Sequence, residues 1–122
     1  MLKKVAFTMY PVADVPRARK FYEESLGLTP GLVGNQGENY WVEYDLPGGG
    51  CFALTNFTSE TPSDAAGGTI AFEVDDLDKL IADLEAGGTT FKSDLIHGPN
   101  CRMSVCLDTE GNSILLHQLN AK

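Results

Sequence analysis

"DTEGNSILLHQL", residues 108–119, decides the fold, because the chain has already made the same shape once. It is an acidic, glycine-bearing turn that feeds an alternating apolar strand, and "LPGGGCFALTNF", residues 46–57, repeats that design. Placing Gly49 on Gly111 gives an offset of 62 (111 − 49), and the same offset carries Asp14 onto Asp76 (76 − 14). Two landmarks that agree on one spacing mark an internal repeat.

Working outward from the first copy, "KKVAFTMY" (3–10) reads as a strand. Asp14 then stands as an N-cap before Val15, Ala18, Phe21, Tyr22 and Leu26 at helical spacing. Pro16 falls in the first turn, where its missing N–H costs little, and Gly27 ends the helix. Strands are expected over 29–36, 40–46 and 51–57, so the order is β-α-β-β-β. In the second copy, "GTIAFEVD" (68–75) is the strand and Asp75 or Asp76 the cap. Leu77, Leu80, Ile81 and Leu84 share a helical face that ends at Gly87-Gly88. Strands over 90–97, 102–108 and 113–119 follow, with "HGPN" and "TEGN" as hairpin turns. The domain plan is one α+β domain, residues 1–122: a module 1–57, a polar linker 58–68 ("TSETPSDAAGG") and a module 69–122.

The totals narrow the function classes. At 122 residues the chain can bury a core without disulfide or metal staples, and 43% hydrophobic with 21% charged residues is the balance of a folded protein. A net charge of −8 repels phosphate backbones and anionic lipid, which argues against nucleic-acid and membrane partners and tolerates cationic small molecules. Lys3, Lys4, Arg17, Arg19 and Lys20 read as solvated faces. Pro11 and Asp14 interrupt the opening apolar run short of a secretory core or a membrane span, so a cytoplasmic protein is expected. Cys51, Cys101 and Cys106 lack C-x-x-C spacing and read as small partly buried hydrophobes. A separation of five on one strand puts Cys101 and Cys106 on opposite faces.

A doubled β-α-β-β-β unit carrying "VADVPRARKFYEESLGL", "FEVDDLDKLIADLEAGG" and the closing "LDTEGNSILLHQ" resembles the vicinal oxygen chelate superfamily, which includes glyoxalase I, extradiol dioxygenases and bleomycin-resistance proteins. The resemblance spans essentially the whole chain. It implies a cupped mixed sheet and, in metal-dependent members, a divalent ion held by the first and last strands of each module. Carried over by position, those ligands fall on Phe7, Ala53, Thr69 and Leu115, none of them a normal metal ligand, so no metal and no cofactor is expected. Thr109 stands where the family commonly has proline in its closing turn, which bears only on turn rigidity. The resemblance also implies a two-fold homodimer, with the modules paired within the chain or with a neighbour.

Residues two apart share a sheet face. Ile70, Phe72, Val74, Phe52, Leu54, Ile114 and Leu116 form an oily face for the helices. The other face carries Val5, Phe7, Met9, Cys51, Ala53, Thr55, Thr69, Ala71, Glu73, Ser113, Leu115 and His117. A pocket is therefore expected with an apolar floor of Phe7, Ala53 and Leu115 and a polar lip of Thr55, Thr69, Glu73 and His117. Glu73 and His117 could exchange a proton or bind a cation, or simply end their strands at the solvent rim. Tyr10, Trp41 and Tyr44 invite reading as an aromatic clamp, with Trp41 at a pocket rim or in ordinary packing. His97 and Cys101 are a poor ligand pair in a hairpin, and Arg102 meets either a ligand anion or a surface acid.

The leading functional expectation is a metal-independent protein that holds an apolar or cationic aromatic small molecule at Phe7, Met9, Trp41, Ala53, Thr55, Thr69, Glu73, Leu115 and His117. One alternative is a lyase or dioxygenase-like enzyme with a non-standard site whose catalytic candidates are Glu73 and His117. Another is a dimeric scaffold. Fold alone does not choose among them.

Overall fold

Asp14 and Asp76 each begin a helix in the same way. The computed structural model describes residues 1, 3–57 and 60–120. In it, the Asp14 carboxylate accepts the Arg17 N–H at 3.0 Å and that of Asp76 accepts the Lys79 N–H at 3.1 Å. Each satisfies one of the donors that a helix start leaves unpaired. The linker's Thr58 and Ser59, the second module's Ala121 and Lys122, and Leu2 lie outside the described residues.

The first unit, Met1–Pro62, contains β1 (Thr8–Pro11), α1 (Val15–Lys20), β2 (Pro30–Gln36), β3 (Asn39–Asp45) and β4 (Cys51–Thr55), with sheet order β1-β4-β3-β2. The second, Ser63–Lys122, contains β5 (Ile70–Glu73), α2 (Leu77–Ala86), β6 (Ile96–His97), β7 (Cys101–Leu107) and β8 (Ser113–Leu119), in the order β5-β8-β7-β6. The repeat holds at the level of single hydrogen bonds. Met9 pairs in parallel with Ala53, and Ala71 with Leu115. Val12 N–H donates to the Thr55 carbonyl at 2.9 Å, and Val74 N–H to that of His117 at 2.8 Å. Gly49 and Gly111 have φ of 107° and 92°, a region where a side chain would be strained.

Three expected elements differ. The first strand begins at Thr8 rather than Lys3, because its partner β4 begins at Cys51 and Thr8 pairs with Phe52; residues 3–6 therefore run past the end of the ladder. The helix of the first unit changes to a π-helical turn over Phe21–Ser25, closed by Leu26 N–H to the Phe21 carbonyl at 3.1 Å. The strand expected over 90–97 survives as Ile96–His97 and one bridge, Phe91 to Cys106. There Ser93 competes with the ladder: its hydroxyl accepts the Val105 N–H at 3.0 Å, and its carbonyl accepts the Ser104 hydroxyl at 3.2 Å. Two residues of the polar segment 60–68 are tied into the second unit. Ser63 N–H donates to Asn112 Oδ1 at 3.0 Å, and Asp64 pairs with Lys92 at 2.7 Å.

Each sheet packs one face against its helix. In the first unit Val42, Tyr44, Phe52 and Leu54 pack with Val15, Ala18, Phe21 and Tyr22, all buried. Phe52 lies 5.0 Å from Tyr22 and 5.2 Å from Tyr10 between ring centroids. The Tyr44 hydroxyl donates to Glu23 at 2.9 Å, and Arg19 holds the same carboxylate at 2.7 Å, so the polar end of a buried ring is satisfied. Burial, with the Glu23 carboxylate beside it, drives the Tyr44 pKa well above its ordinary value. In the second unit Phe72, Leu77, Leu84, Ser104, Cys106, Ile114 and Leu116 are buried, and burial pushes the Cys106 thiol up to about 12. That residue is an inert core group, as is usual for a buried thiol in apolar surroundings.

Candidate functional site

The functional interest lies on the face of each sheet turned away from its helix. In the first unit, register places Met9 beside Ala53, Ala53 beside Glu43, and Thr55 beside Trp41. Alternation along β3 sends Trp41, Glu43 and Asp45 to this face, and Tyr40, Val42 and Tyr44 to the other. The Trp41 indole N–H donates to Glu43 Oε2 at 2.7 Å, which fixes the ring against the strand. Phe7 meets it edge-on at 5.2 Å between centroids and 88° between planes, and Phe57 lies at 6.2 Å and 41°. Phe7 and Phe57 are exposed at 46% and 53%, so this cluster is a surface and not a core. Beside it opens a pocket of about 350 Å³ lined by Gly34, Asn35, Gln36, Asn39, Trp41 and Phe57.

The electrostatics of this face are negative. The Cys51 pKa is raised first by burial and then by the Glu43 and Asp45 carboxylates. Ala53 and Thr55 are fully buried, and the Thr55 hydroxyl accepts the Phe57 N–H at 3.3 Å. Thr55 therefore positions Phe57 instead of offering its oxygen as a lip.

In the second unit, register places Leu115 between Ala71 and Val105, and His117 between Glu73 and Met103. His117 Nδ1 and Glu73 Oε1 are 2.6 Å apart, and the other Glu73 oxygen accepts the Leu119 N–H at 2.9 Å. The His117 bond, then the Leu119 N–H, lowers the Glu73 pKa below the usual carboxylate range. Thr69 is exposed and lies one residue before β5.

Of the residues singled out in the sequence, Met9, Ala53, Thr55 and Trp41 thus share one face of the first sheet, with Phe7 against Trp41. Glu73, Leu115 and His117 share one face of the second. The clamp is reduced to Trp41, because Tyr10 and Tyr44, 8% and 0% exposed, belong to the helix side. Phe57 is the residue that sequence reasoning missed; one more step of the alternation 51, 53, 55 reaches it. His97 pairs with Arg102, next along β7 to Cys101, so His97 and Cys101 take opposite faces and do not form a ligand pair. Arg102 meets a surface acid, with Nη1 3.0 Å and 3.2 Å from the Asp78 carboxylate oxygens.

The divalent ion that the resemblance implies can be tested against these side chains. Phe7, Ala53 and Leu115 carry no donor atom, and Thr69 offers one neutral hydroxyl. Such a set does not fit a divalent ion, which needs several oxygen, nitrogen or thiolate donors. Among the described residues, no group of three or more His, Cys, Asp and Glu side chains is placed to hold a metal. None of the helices among the described residues is long and apolar enough to cross a membrane.

A β-α-β-β-β unit made twice, with its first strand parallel to its last, defines a tandem-module α+β protein. The chain belongs to the Glyoxalase/Bleomycin resistance protein/Dioxygenase superfamily, whose model matches residues 4–116. Solved structures share the fold. TnmS3, an antibiotic binding protein from Streptomyces sp. CB03234, is 23% identical with a TM-score of 0.80, and the match covers 98% of each chain. A glyoxalase/bleomycin resistance protein from the same organism is 24% identical with a TM-score of 0.77, over 94% of this chain and 100% of its own. A glyoxalase family protein from Bacillus cereus is 19% identical with a TM-score of 0.81, over 99% and 97%. No curated protein matches the chain in sequence.

Proposed function

We propose that the chain is a small-molecule-binding member of its superfamily that holds a cationic or apolar aromatic ligand without a metal. The observation that carries this reading is the half-buried Trp41 ring, fixed by Glu43 and flanked by the exposed Phe7 and Phe57, on a face that also bears Asp45. A flat cation stacked there gains both the ring's negative face and two neighbouring carboxylates. The overall charge of −8 draws such a ligand in and repels dianions. A neighbour in fold that is an antibiotic binding protein supports small-molecule binding.

The test is a titration with proflavine, a planar cationic heteroaromatic, followed by quenching of Trp41, the single tryptophan. Saturable quenching is expected, and Trp41→Ala, followed by proflavine fluorescence, should weaken binding about tenfold, the worth of one well-formed cation–π contact. Inorganic phosphate should leave the melting temperature unchanged. Absence of quenching at millimolar proflavine would reject the reading.

The solution state we propose is a homodimer. Leu32 and Val33, on the edge strand β2, are exposed at 59% and 43%, apolar surface of the kind that a second chain could cover. Light scattering should return the mass of two chains at micromolar concentration; a single-chain mass throughout would contradict it.

A further inference from the structure

The Glu73–His117 pair does something other than tie two strand ends. We propose that it is a proton-accepting site for an uncharged weak acid, an aromatic hydroxyl compound of the phenol class, held on the helix-free face of the second unit.

The chemistry follows from which atoms are already committed. An ionised carboxylate can only accept hydrogen bonds, so at 2.6 Å the His117 Nδ1 must carry the hydrogen and donate it to Glu73 Oε1. The carboxylate cannot turn away, because its second oxygen holds the Leu119 N–H at 2.9 Å. The imidazole is thereby fixed in one tautomer and one orientation, and the proton that comes and goes is the one on Nε2. No hydrogen bond to Nε2 is formed among the described residues, and the side chain keeps 26% exposure.

The surroundings choose the acid. Along β8 the ring lies between Leu115 and Leu119, and across the sheet it faces Met103, with Val105 beside Leu115. Such a surface takes a hydrocarbon or aromatic body. Among the residues of β5, β7 and β8 on this face, the only titratable group besides Glu73 and His117 is Cys101, paired with Leu119; Arg102 and Asp78 meet on the helix side. These strand residues include no lysine or arginine to attract a preformed anion, and the charge of −8 repels one. A neutral hydroxyl compound can approach. Its O–H bond then breaks, the proton passes to Nε2, and a phenolate is left beside an imidazolium, with no other reactant needed.

The probe is 4-nitrophenol, whose phenolate absorbs visible light and whose phenol does not. Below the probe's own pKa, added protein should raise a saturable phenolate band. His117→Gln, which keeps a polar side chain but cannot take up the proton, should abolish it. Glu73→Gln should reduce the bound phenolate fraction about tenfold, the worth of one charge-assisted hydrogen bond that holds the imidazole in place. Unchanged melting temperatures would show that both variants are folded; if either unfolds, the imidazole proton resonances of the wild type, shifting with probe concentration, give the same reading. No phenolate band in the wild type, or an equal band in His117→Gln, would overturn the proposal and leave a plain strand-end ion pair. The proposal does not rest on the aromatic platform: absence of proflavine quenching with the phenolate band present rejects that reading and keeps this one, and the reverse result does the opposite.

Discussion

Phe52→Ala is expected to destabilise the protein by about 3–5 kcal/mol, the usual cost of emptying a buried aromatic position. The ring is fully buried at the centre of β4 and is in contact with three other rings, at 5.2 Å (Tyr10), 5.0 Å (Tyr22) and 6.3 Å (Tyr44). Strand β4 pairs with both β1 and β3, so the surrounding backbone cannot close the cavity without breaking a ladder. With total stabilities of about 5–15 kcal/mol for domains of this kind, one substitution should remove a large share. Urea unfolding measures it; a loss under about 1 kcal/mol would show that the site collapses and that the packing described is not what holds the first sheet to its helix.

The second large effect lies in the closing turn. Asp108 is 5% exposed and its carboxylate accepts hydrogen bonds from Glu110 N–H at 2.8 Å, Asn112 N–H at 2.8 Å and Asn112 Nδ2 at 3.0 Å. Asn112 passes the order on to Ser63. Asp108→Ala strands these donors in a buried turn and should cost about 3 kcal/mol, whereas Asp108→Asn, which keeps an acceptor, should cost about 1 kcal/mol. Equal losses for the two would show that the loop re-forms with water on its donors.

The repeat was legible because its landmarks are local. Turn glycines and capping aspartates are chosen by the backbone at one place, so an offset of 62 between them carries through to the strand registers. The alternation that separated Trp41 from Tyr44 is equally local, and so is the pairing of Glu73 with His117 once two strands share a face. What was not legible depends on partners. Where β1 begins is set by where β4 begins, and the loss of the strand after Thr90 is set by Ser93 reaching β7. The aromatic clamp shrinks to Trp41 because Tyr10 and Tyr44 are buried on the helix side, where the Tyr44 hydroxyl finds Glu23. Phe57 lies within the strand expected over 51–57 but past the last paired residue of β4, on the face that the alternation 51, 53, 55 continues to.

The central claim is that an aromatic ligand is held at Trp41 without a metal. Its most direct test is the proflavine titration run twice on the same protein, once after exhaustive dialysis against a chelator and once with one equivalent of added zinc. The dissociation constants should agree within about twofold, a difference of less than half a kcal/mol. Binding that disappears in the chelator and returns with zinc would contradict the account, because it would make the ligand depend on a metal ion for which Phe7, Ala53, Thr69 and Leu115 offer no donor set.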